Sequence, residues 1–264
     1  MDQNPLVGVD RWFSLYDFND QSQVTPDDLK AYDMVIIDPD MHFPLEWLPK
    51  KTIKIAYVSV GEAENYRSYW LQIQKASWIL EENPNWKGNY LVDLRDEQWH
   101  QVLLDQVLPD VIDKGFQGIM MDTLDTSLQL ESEDSEQYSG MHAATIQLVK
   151  KIKERYPYLH LVSNNGFHIL PEIGAYLSGM LVEDIHMMID FDNNAYVKVS
   201  DEDRAYKIDV LKSMQRKFKL PVFNIDYVDA SDKQTKAYCI RSSRKLGFHC
   251  YVAEANLNQI YSQR

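Results

Sequence analysis

The sequence predicts an α/β protein folded as a (β/α)8 barrel, one domain over residues 1–264. Three observations predict it. Eight short apolar runs of strand character alternate with amphipathic stretches from end to end, and such alternation implies parallel strands joined by right-handed crossovers. A chain of 264 residues is the size of eight such units. Polar or aromatic residues close most of the runs, and barrels carry function at that end of their strands. No Gly-rich phosphate loop follows any run, which weakens the competing doubly wound sheet.

The first run, residues 11–16, ends at Tyr16 and Asp17. The second, 33–38, ends at Asp38 before Pro39. The third, 53–60, carries Tyr57 and Ser59 and opens into Gly61-Glu62-Ala63-Glu64, where a helical pattern over 62–80 begins. A ninth, short strand at 89–94 fits inside this long connection, and a second helical pattern covers 96–114. The fourth run is Gly118-Ile119-Met120-Met121-Asp122, with Asp125 three residues on and a helical pattern at 140–156. The fifth, 160–163, enters Ser163-Asn164-Asn165-Gly166 and is followed by a helix at 170–177. The sixth, 180–183, stops at Glu183-Asp184 before a helix at 201–218. The seventh, 222–227, carries Asn224, Asp226 and Tyr227, and a helix follows at 232–246. The eighth, 248–253, carries Tyr251 and leads to Glu254. The acidic stretch 130–136 reads as a solvated loop, and Trp70, Trp78, Trp86 and Trp99 read as core or helix-packing residues.

Hydrophobic residues make up 45% and charged residues 25%, a composition that builds a core and argues against disorder. The net charge of -13 argues against nucleic acid or an anionic membrane as partner, because both need basic surface. It suits a neutral or cationic substrate, and it equally suits plain solubility. No run is long and apolar enough for a membrane helix, and Met1-Asp2-Gln3-Asn4-Pro5 shows no leader. Cys239 and Cys250 make no disulfide framework, and Cys250, inside an apolar strand, reads as a buried free thiol.

A carboxylate that ends an apolar strand is costly to bury unless it is paired or lies in a wet cleft. Asp122 and Glu183 both do this. Two carboxyls across a sugar ring suffice for glycoside hydrolysis, one protonating the leaving oxygen and the other attacking the anomeric carbon or activating water. Asp125 either binds a substrate hydroxyl or amine or caps the next helix. Glu62 either opens a helix, where acids suit the dipole, or faces substrate. Asp38, Asn164 and Asp226 are candidates to bind substrate through its hydroxyls, and Tyr16, Tyr57, Tyr227 and Tyr251 to supply ring faces and hydroxyls. No Gly-x-Ser-x-Gly elbow, His-Glu-x-x-His or Cys/His cluster occurs, so neither metal nor organic cofactor is expected. A metal-dependent hydrolase using Asp122, Glu183, Asp226 and His186 stays open, as does a barrel that binds carbohydrate without cutting it.

The stretch Tyr57-Val58-Ser59-Val60-Gly61-Glu62-Ala63-Glu64-Asn65-Tyr66-Arg67-Ser68-Tyr69-Trp70 resembles the signature of glycoside hydrolase family 114, whose named activity is endo-α-1,4-polygalactosaminidase. Further matches follow in order. They are Asp33-Met34-Val35-Ile36-Ile37-Asp38, Gly115 to Asp125, Ser163-Asn164-Asn165-Gly166, Val182-Glu183-Asp184, Ile225-Asp226-Tyr227 and Gly247 to Val252. The resemblance implies a (β/α)8 barrel and retaining cleavage of α-linked, partly deacetylated galactosamine polymers. It implies Asp122 as nucleophile, Glu183 as acid/base, an amino-sugar oligo- or polysaccharide as partner, and export if a leader precedes the chain. A retaining pair stands roughly 5–6 Å apart. On this reading Asp122 should accept hydrogen bonds, with Tyr57 or Asn164 as donors. Glu183 should be poorer in donors, so that it keeps its proton.

Overall fold

The computed structural model describes residues 4–18, 24–261 and 263. Its strands in chain order are β1 (Trp12–Leu15), β2 (Met34–Ile37), β3 (Ile53–Ser59), β4 (Glu62–Glu64), β5 (Ile79–Glu82), β6 (Asn89–Val92), β7 (Gly118–Asp122), β8 (His160–Asn164), β9 (Gly179–Glu183), β10 (Met187–Asp190), β11 (Ala195–Lys198), β12 (Val222–Tyr227) and β13 (His249–Ala253). Eight of them form one sheet in the order β1-β2-β3-β7-β8-β9-β12-β13. That order follows the chain, as in a (β/α)8 barrel, and all eight expected strands are present. Contacts gather the chain into two compact units, Met1–Ala56 with Ser178–Arg264, and Tyr57–Leu177.

In the first unit β1 pairs in parallel with β2, and β2 with the start of β3. In the same unit β12 pairs in parallel with both β9 and β13. The Trp12 indole N–H donates to the His249 carbonyl at 2.9 Å, tying β1 to β13. The helix Asp201–Phe218 shows why its sequence stops and starts where it does. Ser200 accepts from the Asp203 N–H, three acids fill the first turn, Arg216 and Lys217 close the last, and Lys219 takes a left-handed φ of 60°. Each of these features compensates the helix ends or dipole. An antiparallel hairpin, β10–β11, follows β9; the sequence reading did not anticipate it.

In the second unit β7 pairs in parallel with β8. Ile119, Met120 and Met121 are fully buried, each contributing roughly 1.5–3 kcal/mol. A run buried on both faces is the pattern of a parallel strand, and it delivers Asp122 to the strand end. The helix Met141–Arg155 buries Met141, Thr145, Leu148, Val149 and Ile152, the stripe of an amphipathic helix.

Three expectations fail here. Residues 62–80 do not form one helix: β4, β6 and β5 make a three-stranded antiparallel sheet, and only Trp70–Ile73 is helical in that stretch. Ala and Glu favour helix locally, but pairing of Glu62–Glu64 with Asn89–Leu91 overrides propensity. The acidic stretch is not all loop, because Thr126–Glu133 is a helix with Leu130 buried. Among the tryptophans, Trp78 and Trp99 are core, whereas Trp86 is exposed.

Candidate active site

Each unit carries one of the two strand-end carboxylates. In the second, Asp122 is half-buried at the end of β7, and the Asn164 side-chain amide at the end of β8 donates to Asp122 Oδ1 at 2.7 Å. Asn164 is one of the two expected donors; the other, Tyr57, directs its hydroxyl to Glu64 Oε1. The Asp122 carbonyl accepts from the Val60 N–H at 3.1 Å. Thr123 follows with a left-handed φ of 60°, a sparsely populated conformation for a β-branched residue. Its Oγ1 accepts from the Gly61 N–H at 2.8 Å. Gly61 must be glycine, because a Cβ there would stand 2.2 Å from the Thr123 carbonyl oxygen. The Trp99 indole N–H donates to the Val60 carbonyl at 2.8 Å and fixes the same turn from beneath.

Glu62 does not open a helix. It lies on β4, 3% exposed, and accepts from Asn83 Nδ2 at 2.9 Å, Asn89 Nδ2 at 3.2 Å and Thr126 Oγ1 at 3.4 Å. Burial pushes its carboxyl above the ordinary range, the three donors oppose this, and the negative charge of Asp122 adds to the rise. Asp122 is thus close enough to add to the rise at Glu62 from the strand end. Tyr57 is half-buried, and its hydroxyl donates to Glu64 Oε1 at 3.2 Å. Glu64 also pairs with Arg67 Nε at 2.7 Å, and Arg67 lies over the Tyr57 and Tyr66 rings. The sequence reading missed this Glu64–Arg67 pair; an acid and a base three residues apart was its visible signal.

Asp125 stands at the helix N-cap position but makes no side-chain cap hydrogen bond. Its Oδ2 accepts from the Gly166 N–H at 3.2 Å, and its Oδ1 is 3.2 Å from His168 Nδ1. It thus links the loops after β7 and β8.

In the first unit Glu183 is half-buried at the end of β9, and the Tyr227 hydroxyl donates to its Oε2. The expectation of a donor-poor Glu183 is corrected by this contact. The Tyr227 hydroxyl is held neutral, its pKa raised well above the usual value by burial and by the adjacent Glu183 charge, with Tyr16 also contributing. Tyr16 is half-buried, anchored through its backbone N–H to the Leu257 carbonyl at 2.9 Å. Lys207 Nζ donates to the Asp184 carbonyl at 2.9 Å and lies 3.2 Å from Asp184 Oδ1, fixing the chain just after Glu183. Burial raises the Asp184 carboxyl, and Lys207 partly offsets the rise. Asp38 is half-buried, with its Oδ1 accepting from the Asp40 N–H at 2.9 Å.

Two predicted contact residues stand elsewhere. Asp226 is 0% exposed. Its Oδ1 accepts from the N–H groups of Ile185, His186 and Met187, and its Oδ2 from Asn224 Nδ2. Strand residues alternate faces, so Asp226 shares a face with Asn224 and holds the turn after β9 instead of meeting solvent. Tyr251 is fully buried, packed on Trp12 and accepting from the Tyr261 N–H at 3.0 Å. It is a core residue. His186 directs Nε2 to Ser243 Oγ at 3.1 Å. Among the described residues no three His, Cys, Asp or Glu side chains gather as metal ligands.

An eight-stranded α/β barrel sheet with acids closing β7 and β9 has the features of a glycoside hydrolase. The chain belongs to glycoside-hydrolase family GH114, whose sequence pattern matches residues 9–264. The glycoside hydrolase domain of PelA from Pseudomonas aeruginosa shares the fold, with a TM-score of 0.80 at 23% identity over 96% of this chain and 100% of that one. Ega3 of Aspergillus fumigatus, solved in complex with galactosamine, gives a TM-score of 0.70 at 18% identity over 96% of this chain and 94% of that one. An uncharacterized protein of Thermotoga maritima is 28% identical over 190 residues, 67% of this chain. The chain spans 56% of that relative's length.

Proposed function

We propose that this protein is a retaining hydrolase that cuts α-1,4-linked, galactosamine-containing polysaccharide within the chain. Family membership over residues 9–264 carries the reading. A carboxylate at the end of β7 and another at the end of β9, each with a side-chain donor, support it. A neighbour of the same fold solved with galactosamine supports the choice of sugar, and the net charge of -13 suits a polymer of amino sugars.

In this cycle Asp122 attacks the anomeric carbon while Glu183 gives its proton to the glycosidic oxygen, and the aglycone leaves as an alcohol. Water then attacks the glycosyl–Asp122 ester, Glu183 takes its proton, and the sugar departs with its original anomeric configuration. Asn164 aims the Asp122 carboxylate through its side-chain amide hydrogen bond. Tyr227 steadies the Glu183 carboxylate once the proton has left. The deciding experiment incubates the protein with α-1,4-galactosamine oligomers and follows chain length. Shorter products with retained anomeric configuration are expected. Binding without shortening would overturn the catalytic reading.

A further inference from the structure

The helix Lys233–Leu246 carries Lys233, Lys236, Arg241, Arg244 and Lys245 and no acid, in a chain of net charge -13. The helix dipole accounts for Arg244 and Lys245 in the last turn, but it disfavours Lys233 and Lys236 near the start. Lys233 with Lys236, and Arg241 with Arg244, stand three residues apart, where like charges repel. Among the described residues Lys233, Arg241 and Arg244 make no ion pair. Asp232 accepts from the Thr235 N–H, Asp229 from Ser231, and Glu254 from the Ala230 N–H and the Tyr261 hydroxyl.

Lys233, Lys236, Arg241 and Arg244, with Ala237 and Ile240 as floor, line a groove of about 520 Å³. Arg244, Ile240 and Gln263 also line an adjoining cavity of about 310 Å³, walled by Trp12, Tyr32 and Phe248. Arg11, Asp10 and His249 give that cavity polar groups. Burial draws the Lys236 ammonium below its usual range, so part of the groove is already shielded from water. Both volumes fall in the range of small-molecule sites. The cavity lies at the starts of β1 and β13, away from the strand ends that carry Glu183 and Tyr227.

We propose that this groove binds a phosphorylated molecule with a sugar-sized body. The phosphate dianion lies between the paired cations of the helix, where the guanidinium forks of Arg241 and Arg244 match its oxygens. The body enters the adjoining cavity, where aromatic walls and a few polar groups suit a sugar ring. A bound dianion relieves the like-charge repulsion of Arg241 with Arg244 and the unfavourable placement of Lys233 in the first turn. The proposal is independent of the substrate assigned to Asp122 and Glu183.

Calorimetric titration at physiological salt with glucose 6-phosphate, inorganic phosphate, sulfate and glucose tests it. Glucose 6-phosphate should bind about tenfold more tightly than inorganic phosphate, and glucose weakly. The Arg241→Gln/Arg244→Gln variant and, separately, the Lys233→Gln/Lys236→Gln variant should each weaken glucose 6-phosphate by about tenfold or more, a change of about 1.4 kcal/mol. Hydrolysis of the polymer should be unchanged in both. No binding of glucose 6-phosphate overturns the proposal. So does equal binding of sulfate, or binding that both variants leave intact.

Discussion

The Asn164 side-chain amide and the Asp122 carboxylate join the ends of two adjacent parallel strands through a 2.7 Å hydrogen bond. Register sets this pair: Met121 stands opposite Ser163, so the next residues, Asp122 and Asn164, meet where both strands stop. The donor fixes the direction of the Asp122 carboxylate, as a positioned nucleophile needs.

Asn164→Ala should therefore lower kcat by roughly 10- to 100-fold, because a hydrogen bond to a charged group is worth about 1.5–3 kcal/mol. KM should change less, and the melting temperature little. Full activity in this variant would separate Asn164 from catalysis.

Asp122→Ala should abolish turnover with the melting temperature nearly unchanged. Glu183→Gln removes the proton donor and should cost about 10²–10⁴-fold in rate. Steady-state rates and thermal melts on the same preparations check both. An Asp122→Ala enzyme that kept most of its rate would remove the assignment.

Tyr227→Phe deletes the hydroxyl that donates to Glu183. That hydroxyl stays protonated across the working range, since burial and the Glu183 charge raise its pKa. Losing a donor disfavours the ionised carboxylate. The alkaline limb of kcat/KM, if Glu183 is the acid, should move to higher pH, while kcat at the optimum falls. An unmoved limb would assign it to another group.

The barrel strands were legible because each is a short apolar run ended by a polar group, and Ile119 to Met121 show the pattern in its plainest form. The candidate pair was legible for the same reason: nothing in packing asks for Asp122 or Glu183 where an apolar run stops. The connection after β3 was not, because Glu62, Ala63 and Glu64 favour helix locally and their strand state depends on Tyr90 and Leu91, far along the chain. Asp226 and Tyr251 were misplaced because strand ends were read without regard to face. Asp226 shares its face with Asn224 and not with Tyr227, and a parity count along β12 would have separated them. The partnership of Tyr227 with Glu183 was hidden because it joins residues 44 positions apart.

Gly61→Ala should damage both stability and activity. The new Cβ would meet the Thr123 carbonyl oxygen at 2.2 Å, and neither partner is a flexible side chain. Overpacking of this kind costs about 1–3 kcal/mol, seen as a lower denaturation midpoint. Relief requires moving Thr123, the residue next to Asp122, so kcat should fall as well. An alanine enzyme with wild-type midpoint and rate would show that the turn yields freely.

Glu62→Gln isolates the buried carboxyl behind Asp122. Its folded pKa is raised above 4.5, first by burial and further by Asp122. The native state therefore holds this proton more tightly than the unfolded chain does. Its contribution to stability is full below the unfolded value near 4.5 and is lost as pH rises through the higher folded value. Asp184, also raised by burial, adds a slope of the same sign. Asp93, lowered by Arg95, adds one of opposite sign. These slopes are common to both proteins and cancel in the difference. Gln keeps an acceptor for Asn83 and Thr126 and can donate to Asn89 after an amide flip, so its packing is conserved. In urea titrations across the acid to neutral range, the variant should gain stability relative to wild type as pH rises above 4.5 and then level off. A constant difference across that range would mean that Glu62 titrates alike in the folded and unfolded chain, and that its burial does not hold the proton.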